Sequence, residues 1–135
     1  MRRSEQPLCA FDRVRGVKLY VALAVIEGVA STVLDDPNAM RAALDAGVTA
    51  GGFWLREMLV ARFEPHGVTA TAVVGESHLC LHSWPEEGRL FVDIASCSTR
   101  EGVRRAMDAI VESLPGAQVT VLDERELSEK GVTGR

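Results

Sequence analysis

Apolar and polar residues alternate most regularly over residues 76–97, where two runs rich in apolar residues flank the tetrapeptide Pro85-Glu86-Glu87-Gly88. A connection of this length with proline and glycine at its ends is typical of a β-hairpin. We therefore predict two antiparallel strands, roughly 77–84 and 89–97. Pairing Trp84 with Arg89 across the turn places His82 opposite Phe91, Cys80 opposite Asp93, and Cys97 opposite Glu76.

Strand side chains point alternately to the two faces of a sheet, so this hairpin has two chemically different faces. One face is apolar and should be covered by helices. It carries Leu79, Leu81, Leu90, Val92 and Ile94. The other face should line a cleft or a subunit interface, and it carries His78, Cys80, His82, Trp84, Asp93 and Cys97.

The rest of the chain predicts two helices and further strands. One helix begins at Asp36-Pro37, with aspartate as the cap, and ends at Gly47 and Gly51-Gly52. A second begins at a capping box formed by Ser98 and Glu101 and stops at Pro115-Gly116. Strands are predicted over 17–26, 53–63, 69–74 and 119–122, with the 69–74 run continuing into the hairpin past Gly75.

This order, βαβββαβ, predicts an α+β fold in which a mainly antiparallel sheet of five strands is covered by two helices on one face, a two-layer α/β sandwich. The uncovered face would bear His82 and Cys97. Leaving Trp84 and Phe91 there in water is unfavourable, so we expect a second copy of the chain to cover them as a homodimer. Residues 1–15 and the polar tail 123–135 are expected to be loosely ordered.

Composition narrows the function classes. A length of 135 residues predicts a single domain, 1–135, and 47% hydrophobic with 25% charged residues describes an ordinary soluble protein. No apolar run reaches the ~18 residues of a membrane span, and a net charge of −4 provides no basic surface for nucleic acid. We expect a cytoplasmic protein without membrane or nucleic-acid partners. Three cysteines without close spacing predict neither a disulfide framework nor a zinc site.

The hairpin collects three groups suited to catalysis. Ser77 is a candidate nucleophile, His82 a candidate base and Cys97 a candidate acid. By strand parity Ser77 points away from His82, so a kink near Gly75 or release of a chain end would be needed for them to meet. On this basis alone the set is compatible with a hydrolase, a transferase or coincidence.

The same residues carry a family resemblance. The motif Glu76-Ser77-His78, followed by His82, Trp84-Pro85-Glu86, Gly88, Val92-Asp93 and Cys97, resembles the signature of the short prokaryotic S-adenosylmethionine decarboxylases. The preceding Phe63, Pro65, Gly67-Val68 and Val73-Val74 resemble the segment upstream of that signature. The resemblance is dense over residues 63–97 and extends in element order over about 17–122.

The resemblance implies a chain that cleaves itself between Glu76 and Ser77. The Ser77 hydroxyl would attack the Glu76 carbonyl to form an ester, and loss of the Ser77 α-proton to His82 would then eliminate the upstream carboxylate. Hydrolysis of the remaining dehydroalanine leaves a pyruvoyl group at the new amino terminus. Thr69 would stand where the family usually has a serine that assists processing, although Thr69 is also an ordinary strand residue.

The resemblance also implies the reaction and its substrate contacts. The pyruvoyl group would form a Schiff base with S-adenosylmethionine and accept the electrons released with carbon dioxide, so that neither pyridoxal phosphate nor a metal is needed. Cys97 would reprotonate the product. Phe63 would stack on adenine and Glu86 would bind the ribose hydroxyls. Without the resemblance, Phe63 is equally a core residue and Glu86 an exposed turn residue.

Three departures from the family pattern bear on the substrate. Arg89 replaces a frequent aromatic residue, Ser98 follows Cys97 where glycine is common, and 21–25 lacks the usual acidic and cysteine-containing pattern. One alternative is therefore a pyruvoyl-dependent arginine or ornithine decarboxylase of the same fold. The other is an unprocessed, non-catalytic binding or regulatory homologue.

Overall fold

The computed structural model describes residues 18–128 and the backbone of 131–134. The expectation of a loosely ordered segment 1–15 falls outside these residues. The strands are β1 (Lys18–Glu27), β2 (Leu55–Arg62), β3 (Val68–Val74), β4 (Ser77–Trp84), β5 (Arg89–Ser96), β6 (Gln118–Ser128) and β7 (Gly131–Gly134). The helices are α1 (Ser31–Leu34), α2 (Pro37–Ala50) and α3 (Arg100–Glu112), with a 3-10 turn at Pro85–Glu87.

All strands belong to one antiparallel sheet in the order β2-β3-β4-β5-β1-β6-β7. Helices α2 and α3 pack together against one face and bury its apolar side chains, among them Ile26, Leu79, Leu81 and Ile94 at 0% exposure. The predicted α+β fold, with two helices on one face of a mainly antiparallel sheet, is confirmed. The opposite face, which we call the open face, has no helix over it in the described part of the chain.

The strand count differs from the prediction of five. Residues 69–84 were expected to form one interrupted strand, but Gly75 and Glu76 form a two-residue turn between β3 and β4, with Val74 paired to Ser77. Gly75 has φ of +62°, a conformation that glycine adopts without strain and that tight hairpins need. The chain therefore reverses at Gly75.

The expectation of a loosely ordered tail from residue 123 is wrong for 123–128, because β6 runs on to Ser128 beside β1. Its acidic side chains are compensated rather than left solvated. Arg100 and Lys18 lie 2.9 and 3.4 Å from the Glu126 carboxylate, and Arg104 lies 3.1 Å from Glu124. The polar composition of the segment did not predict these ion pairs, because their basic partners lie in other elements.

The predicted end of α2 at Gly51-Gly52 is correct, since α2 ends at Ala50 with Gly51 as its cap, but two other predicted boundary residues were misplaced. Gly47 lies inside α2, where a Cβ atom would stand 2.9 Å from Ile110 of α3, so this glycine permits close helix packing and does not end the helix. The cap of α3 is Thr99, whose Oγ1 accepts from the Gly102 N–H at 2.9 Å, and not Ser98. The predicted Asp36 cap of α2 is correct, since Asp36 accepts from the Asn38 N–H.

The hairpin register was predicted correctly. Trp84 pairs with Arg89, His82 with Phe91 and Cys80 with Asp93. The ladder ends at the pair of His78 with Ala95, so Cys97 lies beyond the strand and does not pair with Glu76. In the part of the chain that the structure describes, no helix has the length and apolar character needed to cross a bilayer.

Asp35 fixes the loop between β2 and β3. Its carboxylate accepts from the Gly67 backbone N–H at 2.8 Å and from the Arg62 guanidinium at 2.9 Å. These two donors hold the pKa of the Asp35 carboxyl below its ordinary value of 3.8. The same loop is closed by the Phe63 N–H, which donates to the Gly67 carbonyl at 2.8 Å.

We expect Asp35→Asn to lower the melting temperature at pH 7, because the substitution removes the charge that both donors favour. A depressed native pKa means that the ionised carboxyl stabilises the native state above the unfolded pKa, and that this contribution is lost as pH falls through the native pKa. The difference in melting temperature should therefore shrink below about pH 4. Thermal unfolding followed by circular dichroism from pH 3 to 7 measures it. Asp108→Asn, on the exposed side of α3, is the control, and an equal response from both variants would contradict the assignment.

Candidate functional site

The predicted cleavage site lies at the tight turn between β3 and β4. Glu76 is exposed in the turn, and Ser77 is the first residue of β4, with only 9% of its surface exposed. Ser77 has the same strand parity as Leu79 and Leu81, so its side chain belongs to the face that the helices cover. The Glu76–Ser77 peptide bond thus joins an exposed residue to a buried one, at the turn of the hairpin formed by β3 and β4.

Ser77 and Cys97 are brought together by the hairpin ends. The Cys97 backbone N–H donates to Ser77 Oγ at 3.3 Å, and the Cys97 Sγ atom lies 3.7 Å from the same oxygen. Cys97 is disulfide-bonded, although the number and spacing of the cysteines had predicted no disulfide framework. Its sulfur carries no proton in that state, so a role as an acid requires the reduced thiol.

His82 lies in a separate group with Thr69. The two residues are directly paired across β3 and β4, and Thr69 Oγ1 is 3.3 Å from His82 Nδ1. His82 is five residues beyond Ser77, which corresponds to roughly 17 Å along a strand, and it points to the open face. The hairpin therefore brings Ser77 to Cys97 but not to His82, as the strand parity of Ser77 had predicted. Strand β4 is continuous from Ser77 to Trp84, so the reversal at Gly75 does not bring the side chains of Ser77 and His82 together.

The predicted substrate-binding residues lie on two adjacent loops. Phe63 follows β2 and is 52% exposed, so it is not a core residue. Glu86 lies in the 3-10 turn after β4, and its carboxylate is 3.1 Å from His66 Nε2 on the loop that follows Phe63. The sequence interpretation had not included His66. Its contact with Glu86 joins the two loops on which the predicted adenine and ribose contacts lie.

Arg89, one of the departures from the family pattern, forms ion pairs at the hairpin turn. Its guanidinium lies 2.9 Å from Glu87 and 3.9 Å from Glu27. The departure is therefore accommodated by ion pairs around the turn, at the first position of β5.

The open face contains a groove of about 600 Å³. The groove is largely apolar, and the rings of Trp84 and Phe91 meet edge to face in its wall with centroids 4.8 Å apart. Its lining includes Leu23, His82, Trp84, Phe91, Asp93 and Val121. Neither Ser77 nor Cys97 lines it, so the groove and the Ser77–Cys97 contact are separate features of one protomer.

A second cluster of side chains lies on the open face, and its member Asp93 also lines the groove. His78, Cys80 and Asp93 each offer a ligand atom, and the three atoms lie within 4.8 Å of one another. Burial raises the pKa of the Cys80 thiol above its ordinary 9.0; a hydrogen bond from Thr71 opposes this increase and the Asp93 charge adds to it. The hairpin register had indicated that Cys80 faces Asp93, but spacing rules for metal sites do not detect ligands gathered across a hairpin.

Comparisons with known proteins agree with this architecture. A profile of the family described as S-adenosylmethionine decarboxylase matches residues 21–125. The S-adenosylmethionine decarboxylase proenzyme of Caldanaerobacter subterraneus is 32% identical over 82% of this chain and 90% of its own length. That of Aquifex aeolicus is 29% identical over 82% of this chain and 78% of its own length. The crystal structure of the adenosylmethionine decarboxylase from Aquifex aeolicus superposes with a TM-score of 0.69 at 25% identity, covering 82% of this chain and 88% of that one.

Proposed function

The chain belongs to the S-adenosylmethionine decarboxylase family, and we propose that it decarboxylates S-adenosylmethionine with a pyruvoyl group made from its own Ser77. The product would be the aminopropyl donor for polyamine (spermidine) synthesis. The observation that carries the proposal is the position of Ser77, at a tight turn and in contact with Cys97, inside the region matched to the family. The cytoplasmic location and the absence of membrane and nucleic-acid partners stay predictions.

The first step of the proposal is self-cleavage at the turn. Ser77 Oγ attacks the Glu76 carbonyl carbon, and the Glu76–Ser77 amide becomes an ester with a free Ser77 amine. Removal of the Ser77 α-proton expels the Glu76 carboxylate and leaves dehydroalanine. Water then replaces the amine nitrogen, which departs as ammonia, and a pyruvoyl group remains at the amino terminus of the fragment 77–135.

The residues around Ser77 fit a pyruvoyl group at this position. The Cys97 N–H donates to Ser77 Oγ, the atom that leaves with the Glu76 carboxylate, so a backbone donor lies beside the position of the new pyruvoyl group. A pyruvoyl carbonyl supplies an acceptor for the electrons released when carbon dioxide leaves, as pyridoxal phosphate does in other enzymes. Neither pyridoxal phosphate nor a metal ion has a part in this proposal.

Cys97 is the proposed proton donor to the former α-carbon of the product. In its reduced form Cys97 carries a thiol proton that it can donate in this step. Phe63 is proposed to stack on the adenine, since its ring is half exposed at the end of β2. Glu86 is proposed to accept hydrogen bonds from the ribose hydroxyls, with His66 holding its carboxylate in place.

Two observations support a homodimer formed through the open face. The first is that large apolar side chains are exposed there, including Leu23, Phe91 and Val121 at 45, 37 and 56%. The second is that His82 and Thr69 lie too far from Ser77 to act on it within one chain. A two-fold arrangement would bring the Thr69–His82 pair of one protomer toward the cleavage site of the other, which allows His82 to take the α-proton.

Self-cleavage predicts two fragments, residues 1–76 and 77–135, in the denatured protein. The fragment 77–135 should be blocked to amino-terminal sequencing because it begins with a pyruvoyl group. Ser77→Ala removes the nucleophile and should leave the chain whole, whereas Ser113→Ala, at the exposed end of α3, should cleave normally. Mass spectrometry of the denatured proteins measures this, and a wild-type chain that stays at 14.6 kDa after long incubation would remove the proposed cofactor.

The processed protein should release labelled carbon dioxide from carboxyl-labelled S-adenosylmethionine, and not from arginine or ornithine. With reductant present, Cys97→Ser should lower kcat by about 10²- to 10⁴-fold, the usual contribution of a positioned acid. The variant is scored only on its processed fraction, so that a processing defect is not mistaken for a loss of proton transfer. Release from arginine or ornithine alone would favour the other decarboxylase, and a whole chain without release would favour the non-catalytic homologue.

The dimer proposal is tested with two matched leucines. Leu23 on the open face and Leu55 on the helix side of the sheet edge are 45 and 44% exposed. Leu23→Lys should convert the dimer to a monomer and impair self-cleavage, because a charge at the centre of an apolar interface is costly. Leu55→Lys should stay dimeric and cleave. Light scattering after size exclusion gives the mass, and a monomeric wild type at micromolar concentration would overturn the proposal.

A further inference from the structure

We propose that His78, Cys80 and Asp93 form a binding site for a zinc-like divalent metal ion on the open face. This site is separate from the proposed reaction, which uses no metal, and it does not depend on that reaction being correct. The three ligand atoms lie within 4.8 Å of one another and belong to three residue types that zinc accepts.

The distances are close to those of a tetrahedral site. With bonds of about 2.0–2.3 Å to nitrogen, oxygen and sulfur, two ligands of one zinc ion lie roughly 3.3–3.8 Å apart. His78 Nε2 and Asp93 Oδ1 are already 3.3 Å apart. The remaining separations are at most 4.8 Å, so small side-chain rotations that shorten them by about 1 Å would complete three of the four positions, and water can take the fourth.

The backbone that carries the three residues is rigid. His78 and Cys80 are alternate residues of β4 and therefore share a face, and Asp93 is directly opposite Cys80 on β5. Both strands lie inside the sheet with neighbours on each side. Ligands on paired strands keep their spacing better than ligands on loops, so the site is largely formed before an ion arrives.

The charges also favour a divalent cation. Cys80 carries a free thiol, and binding would form a metal–sulfur bond while the thiol proton passes to solvent. Thiolate and carboxylate together supply two negative charges, which neutralise the ion, and His78 binds as the neutral ring. Thr71 Oγ1, 3.4 Å from Cys80 Sγ, is placed to donate a hydrogen bond to the bound thiolate.

A thiolate sulfur, an imidazole and a carboxylate together favour some divalent metal ions over others. Magnesium and calcium prefer oxygen ligands, and zinc and cobalt accept this mixed set. The existing contacts that the ion would replace are long ones, 3.3 Å between His78 and Asp93 and 3.4 Å between Thr71 and Cys80. Little is therefore lost when they give way to metal bonds.

Cobalt(II) is the probe for this site, since a four-coordinate cobalt ion bound to a thiolate has intense visible bands and a near-ultraviolet sulfur-to-cobalt band. Full-length protein, freed of metal with a chelator and kept reduced, is titrated with cobalt chloride. We expect one ion per chain with both spectral features, and displacement by zinc. Absence of the sulfur-to-cobalt band would overturn the proposal.

The variants locate the ion. Cys80→Ser and Cys80→Ala should each abolish the sulfur-to-cobalt band, and His78→Ala and Asp93→Asn should weaken cobalt binding by at least about 10-fold. Circular dichroism confirms that each variant is folded. Cys97→Ser tests the second cysteine of the described part of the chain, and His66→Ala tests the histidine that contacts Glu86. Both should keep the band, and a band that survives in the two Cys80 variants or disappears in Cys97→Ser would place the ion elsewhere and overturn the site.

Discussion

Side chains along β4 and β5 alternate between a face buried by α2 and α3 and an open face that carries polar groups, and the register of this hairpin decides which residue falls on which. Leu79, Leu81 and Ile94 are fully buried on one side. His78, Cys80 and Asp93 meet on the other. A shift of one residue would exchange the two sets, burying charges and exposing the core, so the apolar core itself holds the chemistry in place.

The same register fixes the side on which Ser77 lies. It separates Ser77 from the polar side chains of the open face. Its parity sends its side chain toward the helix-covered face, where it meets Cys97 at the end of β5. Thr69 and His82 are fixed to each other on the opposite face. The polar groups of the hairpin therefore form distinct sets within one protomer, and this separation, rather than surface hydrophobicity alone, makes a second protomer part of the proposed mechanism.

The sequence predicted what local rules determine and missed what distant parts of the chain determine. The β4–β5 register followed from a recognisable four-residue turn, and the cap of α2 followed from Asp36-Pro37. The turn at Gly75-Glu76 was missed because the residues on either side are equally β-prone. The extension of β6 was missed because its acidic residues are balanced by Arg100 and Arg104 of a different element. The group His78, Cys80 and Asp93 has no sequence spacing typical of metal sites, since its third member comes from the partner strand.

The strand order is compatible with the proposed cleavage between Glu76 and Ser77, because the two fragments would remain one folded body. The fragment before the cut contributes β1, β2 and β3, and the fragment after it contributes β4 to β7. In the sheet, β1 lies between β5 and β6, while β3 lies beside β4. The two fragments thus share three strand interfaces as well as a common apolar core, and none of these contacts uses the severed bond. Cleavage at this turn removes a covalent connection between β3 and β4 but leaves their ladder intact, so the new chain end at Ser77 is freed to move while the sheet that positions Cys97, Thr69 and His82 is kept.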